Sequence, residues 1–116
     1  MDNHNKIDYV EFPARNLEAT KAFFSQAFGW AFEDFGPEYT SFSNSGLAGG
    51  FFKAGVNADT ENGSALIVLY SNDLEGTLTR VMNAGGSIVK EIFSFPGGRR
   101  FHFAEPSGNE FAVWSE

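Results

Sequence analysis

Cysteine is absent from the 116 residues, which excludes disulfides, thiolate nucleophiles and any zinc or iron–sulfur site held by sulfur. Histidine is almost as scarce: there are two, and His4 lies in an N-terminal tail, leaving His102 as the single imidazole expected inside the fold. Basic residues are outnumbered, eight Lys and Arg against fifteen Asp and Glu, for a net charge of −7. That balance repels a phosphate backbone and an anionic bilayer, and the pair Arg99-Arg100 is too small a footprint to reverse it, so neither nucleic acid nor membrane is expected as a partner. No apolar run is long enough to cross a bilayer, and Met1 to Lys6 has no basic stretch leading into an apolar one. A reducing, cytoplasmic setting is expected.

What the chain has in excess is phenylalanine, fourteen residues of it. One domain of this length buries about two-thirds of its unfolded surface. A core filled mainly by Leu, Ile and Val needs fewer rings, so some of the Phe residues are expected to line a cavity or a subunit interface.

Residues Ile7 to Pro13 alternate, with Val10 and Phe12 on one face and Tyr9 and Glu11 on the other, as a strand does. Asn16 then reads as a helix cap with Glu18 in the first turn, and Leu17, Thr20, Phe23, Phe24, Ala27 and Phe28 fall on one helical stripe that ends at Gly29. Three short runs follow, Trp30 to Phe35, Tyr39 to Asn44 and Leu47 to Lys53, separated by Gly-Pro and Ser-Gly turn signals. Residues 54–63 carry Gly, Asn, Asp, Thr and Glu with little apolar content and read as a mobile surface linker. The order then restarts: a strand over Ser64 to Tyr70, a helix capped by Asp73 with Leu74, Leu78, Val81 and Met82 buried, a strand over Ser87 to Phe95, and a hairpin, Arg99 to Glu105 and Glu110 to Trp114, around Pro-Ser-Gly-Asn.

Both halves are therefore β-α-β-β-β. The repeat has sequence support, since Asn16-Leu17-Glu18 recurs as Asp73-Leu74-Glu75 and Gly29 as Gly86 at the same offset. The fold class is α+β, a single domain of two tandem modules over about 6–53 and 64–116. A ferredoxin-like arrangement is the alternative, and it leaves strands unassigned.

These features carry a family likeness. The paired modules, the helix openings, Phe28-Gly29-Trp30, Ala84-Gly85-Gly86 and Glu105-Pro106-Ser107-Gly108-Asn109 before the last strand together resemble the vicinal oxygen chelate superfamily of glyoxalases, bleomycin-resistance proteins and extradiol dioxygenases. The last motif departs slightly, with Glu105 where the family pattern has Asp. The resemblance implies sheets curled into half-barrels around a ligand cavity, and pairing of two chains so that each cavity is completed by both. It also implies a divalent metal in the enzymes, held by first- and last-strand side chains. Those positions fall here on Tyr9, Leu66, Ala112 and Gly49 or Gly50, which is no ligand set, so no metal and no other cofactor is expected. The fold alone selects no chemistry, because it hosts lyases, dioxygenases, epimerases and drug-binding proteins.

The candidate site residues come from strand alternation. Arg100 and His102 share the polar face of the hairpin, opposite Phe101 and Phe103. His102 reads as a proton donor, general base or pH-sensitive ligand contact, or else as a structural hydrogen-bonding histidine. Arg100 reads as a clamp for a ligand carboxylate or phosphate, or as the partner of Glu11 or Glu110. Glu11 is a candidate base or an ion-pair partner, and Tyr9, Tyr70 and Trp114 line the cavity or simply pack within it. The resulting expectation is a metal-independent binder of a small anionic or aromatic molecule, acting as a homodimer. The alternative is a glyoxalase-type lyase or isomerase that uses His102 and Glu11 as catalytic residues with Arg100.

Overall fold

The computed structural model describes residues 3–116. Its elements run β1 (Val10–Ala14), α1 (Leu17–Phe28), β2 (Ala31–Asp34), β3 (Tyr39–Ser43), β4 (Gly49–Lys53), β5 (Ile67–Tyr70), α2 (Leu74–Asn83), β6 (Ser87–Phe95), β7 (Gly98–Ala104) and β8 (Glu110–Ser115). Two four-stranded sheets result, β1-β4-β3-β2 and β5-β8-β7-β6, each with one parallel pair, β1 with β4 and β5 with β8. The identical order in the two halves is the duplicated β-α-β-β-β unit, and neither sheet closes into a barrel.

Local chemistry fixes the helix ends. Asn16 Oδ1 accepts the Ala19 N–H at 3.0 Å, and Asp73 Oδ1 accepts the Gly76 N–H at 3.1 Å, each satisfying an orphan donor of a first turn. Gly29 adopts φ +72°, which lets the chain reverse after α1 while its N–H still reaches the Ser25 carbonyl. No helix among the described residues is long and apolar enough to cross a membrane.

The two helices and the inward sheet faces share one core. Eight of the fourteen Phe residues are buried in it, so most of the phenylalanine surplus is core after all. Phe24 sits at its centre, stacked on Trp30 at 4.3 Å and edge-on to Phe111 at 5.1 Å. Phe12 meets Phe111 at 5.0 Å and so joins the first sheet to the second. Phe35, Phe52 and Phe93 are the exposed ones.

Three expectations are corrected. Met82 is 53% exposed: Leu74 and Val81 already fill the inward stripe of α2, and Met82 falls on the solvent side of Val81. The first strand begins at Val10, with Ile7 exposed beyond it, and the fifth at Ile67, since their flanking residues find no ladder partner. Residues 54–63 are tied down at several points. Ala58 N–H donates to Asn109 Oδ1 at 2.7 Å, Asn57 Nδ2 to the Gly108 carbonyl at 3.1 Å, and the Thr60 N–H and hydroxyl both to Glu110 Oε1 at 2.8 Å.

The Glu105–Asn109 turn is the other half of that tie. Buried Glu105 accepts from Thr20 of α1, from the Ser107 N–H and from Asn109 Nδ2, at 2.8, 2.8 and 2.6 Å. Asn109 Nδ2 also reaches the Pro13 carbonyl of β1 at 2.7 Å. The Glu105–Asn109 turn thus clamps the second module's hairpin onto β1, α1 and the connecting segment. Burial pushes the Glu105 carboxyl above its usual range against the pull of these hydrogen bonds.

Candidate functional site on the outer sheet faces

Alternation along β7 puts Phe101 and Phe103 in the core and turns Arg100 and His102 to the outer face of the second sheet, as the sequence predicts. On that face His102 lies across from Ala112 of β8 and Lys90 of β6, and Arg100 across from Trp114 and Phe93. Arg100 Nε and Nη2 both donate to His102 Nε2, at 3.2 and 3.0 Å. Arginine has only donors, so Nε2 carries the lone pair and the ring proton is on Nδ1, which donates to Glu110 Oε2 at 2.8 Å. The other Glu110 oxygen is saturated by Thr60. Burial works to raise the Glu110 carboxyl, but the donors from His102 and Thr60 outweigh it and leave the group below its usual range.

Arg100 therefore pairs with an imidazole, not with Glu11 or Glu110. Its guanidinium carbon lies 5.8 Å from the Phe93 ring centroid and 5.7 Å from that of Phe95, close enough for cation–π attraction to both. Val68, Phe95, Gly97, Arg100 and Trp114 line a pocket of about 320 Å³. Trp114 packs edge-on against Tyr70 at 5.2 Å. The Tyr70 hydroxyl is hydrogen-bonded to the Glu116 carboxylate, which raises its pKa.

Tyr9 and Glu11 occupy the outer face of the first sheet. A residue that sequence reasoning passed over, Tyr39, joins them: its hydroxyl donates to Glu11 Oε2 at 2.8 Å and lies 2.6 Å from the Tyr9 hydroxyl. Each phenol has one proton, so Tyr9 is the donor to Tyr39. Burial, then the bonds to Tyr9 and Glu11, raises the Tyr39 phenol strongly. Gly50 makes this possible, because a Cβ there would stand 2.1 Å from the Tyr39 hydroxyl oxygen. The signal in the sequence was the Gly49-Gly50 pair, which marks a close approach without naming what approaches. Glu11 and His102 belong to different sheets, and no hydrogen bond connects them within one chain.

A larger groove of about 600 Å³ runs between the β1 and β5 edges, floored by Phe12, Trp30, Phe42 and Phe111. It is apolar, and of the candidate residues only Tyr70 reaches it.

The positions at which the resemblance implies a metal do not fit one here. Gly50 faces outward beside Glu11, while Gly49 is pressed against Val10 and Phe42, so the set is Tyr9, Gly50, Leu66 and Ala112. Only Tyr9 has a donor atom, and its hydroxyl is committed to Tyr39. Among the described residues no group of three or more His, Asp or Glu side chains converges to hold an ion.

Solved structures share this architecture at low identity. A glyoxalase-related enzyme from Fulvimarina pelagi superposes with a TM-score of 0.77 at 19% identity, over 97% of this chain and 88% of the other. A lactoylglutathione lyase from Agrobacterium tumefaciens gives 0.72 at 19%, over 98% and 96%. TnmS3, an antibiotic binding protein from Streptomyces sp. CB03234, gives 0.69 at 17%, over 99% and 98%. At such identities the likeness shows the fold alone, and it spans a lyase and a binding protein. No curated protein matches the chain at a significant level. The sequence profile of one family does match, over residues 6–113. Paired β-α-β-β-β modules, the Glu105–Asn109 clamp and that match together make the chain a member of the Glyoxalase/Bleomycin resistance protein/Dioxygenase superfamily.

Proposed function

We propose that this protein binds a small aromatic anion, without a metal, on the outer face of its second sheet. The observation that carries the reading is Arg100. It is held between Phe93 and Phe95 at a pocket of about 320 Å³, with Nη1 committed to no acceptor among the described residues. A carboxylate there gains charge-assisted hydrogen bonds of about 1.5–3 kcal/mol each, and the flanking rings suit a flat ligand body. Tyr70, packed on the pocket residue Trp114, extends the lining, while Tyr9 and Glu11 belong to the opposite wall in a homodimer whose cavity both copies complete. Exposed Tyr9, Phe52, Val68, Tyr70 and Phe93 on the two outer faces support that pairing. The lack of cysteine fits a cytoplasmic setting.

The test is titration with aromatic carboxylates, followed by tryptophan fluorescence, on protein purified without chelator. Binding that Arg100→Met weakens at least tenfold supports the reading, since the half-buried Trp114 reports from the same pocket. Near-stoichiometric nickel, zinc, manganese or iron in the purified protein would overturn the metal-free part. A 12.7 kDa species in gel filtration would overturn the dimer.

The lyase or isomerase reading has one observation in its favour: Glu110 holds His102 as an orienting carboxylate holds a general base. Against it, the Nε2 lone pair is already engaged by Arg100, and Glu11 stands on the other sheet. Turnover of a glyoxalase-type substrate, lost in His102→Ala with the fold intact, would establish it.

A further inference from the structure

We propose that the anion enters this site together with a proton: it inserts between Arg100 and His102 as His102 Nε2 takes a proton from solvent, and it leaves when that proton is lost. This rests on the anion-binding reading above and adds to it a regulation by pH.

The argument begins with one lone pair. Arg100 Nε and Nη2 both point at His102 Nε2, and these two bonds exist only while Nε2 is unprotonated. A proton there turns the contact into N–H groups facing N–H groups, and two cations into neighbours. His102 cannot relieve this through its other nitrogen. Nδ1–H is held by Glu110, and Glu110 is pinned by both Thr60 donors. Both side chains are buried, 6% and 5% exposed, so the ring has little room to turn away. Arg100 must swing aside, and the gap then presents guanidinium donors and an Nε2–H to one carboxylate.

Charge leads to the same conclusion. With His102 neutral, Arg100 and Glu110 balance. An anion alone would leave the half-buried site negative in a chain already at −7, whereas an anion with a proton restores the balance. The other groups facing His102 do not supply the missing charge in place. From β6 come the Phe93 ring, 5.8 Å away, and Lys90, the exposed register partner, with Glu91 next to it. From β8 come Ala112 and Glu110.

The experiment is calorimetric titration of the full chain with benzoate between about pH 5.5 and 8.5, in two buffers of different protonation enthalpy. Benzoate stays ionised across that range because carboxyls of its kind titrate near 4, so any pH dependence belongs to the protein. The expected result is uptake approaching one proton per benzoate towards the alkaline end. Affinity there falls about tenfold per pH unit, the limiting slope for one linked proton. His102→Asn, which keeps an amide donor towards Glu110, binds benzoate with pH-independent affinity and no proton uptake, while Lys90→Ala leaves the proton count unchanged. Benzoate binding with flat affinity and no proton uptake in the unaltered protein overturns the coupling and leaves the binding function standing. Proton uptake that survives His102→Asn, or disappears in Lys90→Ala, overturns His102 as its carrier. No benzoate binding at any pH overturns both readings together. Should His102→Asn fail to fold, the proton count of the unaltered protein still decides the coupling, and His102→Gln, expected to abolish the uptake, decides the carrier.

Discussion

Asn109→Asp puts a charge into the clamp that joins the two modules. In the folded protein Asn109 Nδ2 donates to Glu105 Oε2 at 2.6 Å and to the Pro13 carbonyl at 2.7 Å, with Asn109 fully buried. Aspartate has no donor, so the substitution sets two carboxylates against each other. At an effective dielectric of about 20, two unit charges this close repel by about 6 kcal/mol. Sharing one proton is the cheaper escape. Protonating an ordinary carboxyl at pH 7.5 costs about 4 kcal/mol, since each pH unit above its usual value is worth about 1.4 kcal/mol. The shared proton exists only in the folded state, which then binds more protons than the unfolded chain, so stability rises as pH falls. With about 1 kcal/mol more for the Pro13 carbonyl left without its donor at either pH, the expected loss for Asn109→Asp is about 5 kcal/mol at pH 7.5, shrinking to about 2 kcal/mol near pH 5. Asn109→Ala is the control. It strips partners from Pro13, Ala58 and Glu105 and loses about 3 kcal/mol relative to the unaltered protein at either pH. Urea unfolding followed by tryptophan fluorescence at both pH values measures this. Equal losses for Asn109→Asp at pH 5 and 7.5, or a loss under about 1 kcal/mol at the higher pH, would refute the clamp.

Three further outcomes are expected. Glu110, held below its usual range by its donors, stabilises fully above the unfolded carboxylate value and loses that contribution as pH falls through its folded value. Glu110→Gln costs about 1–3 kcal/mol at neutral pH and removes this part of the acid limb in a pH series of urea unfolding curves. Gly50→Ala drives a methyl into the Tyr39 hydroxyl, costs about 1–3 kcal/mol by overpacking, and in ultraviolet titration brings one further phenol into the ordinary range near 10. Phe24→Ala empties the centre of the ring cluster and lowers stability by about 3–5 kcal/mol in thermal or urea unfolding.

The elements were legible where local chemistry decides them. Asn16, Gly29 and Asp73 announce helix ends through their own side chains or their own freedom at positive φ, and each end is where those residues place it. Strand alternation assigned Arg100, His102, Phe101 and Phe103 to their correct faces, because period two leaves only two choices. What the sequence could not show was pairing across distance. Arg100 had carboxylates within reach of any fold argument, yet it chose the imidazole, because Thr60 and His102 had already saturated Glu110. Thr60 lies in a stretch whose composition reads as loose, and its anchorage depends on the Gly108-Asn109 turn roughly half the chain away. Tyr39 was hidden for the same reason, since its importance arises only when β3 lays it over Gly50 beside Glu11.

The two modules show how one architecture comes to carry different chemistry. Gly50 on β4 and Ala112 on β8 hold corresponding places, each beside the parallel strand of its sheet, opposite Glu11 and Val68 respectively. Both are among the smallest residues, at positions where the family resemblance implies a metal ligand, and a small residue on a sheet face leaves a void that a neighbour can occupy. On the first sheet Tyr39 leans into that void and ties itself to Glu11 and Tyr9, which fixes three polar groups in one hydrogen-bonded chain. On the second sheet His102 stands beside Ala112, and Arg100 caps it from the next outward position along β7. The first face is closed upon itself, with every phenol proton committed. The second still has guanidinium donors to give, and that difference is why the proposed ligand is placed on Arg100 and His102, with Tyr9 and Glu11 only as the facing wall from a second copy.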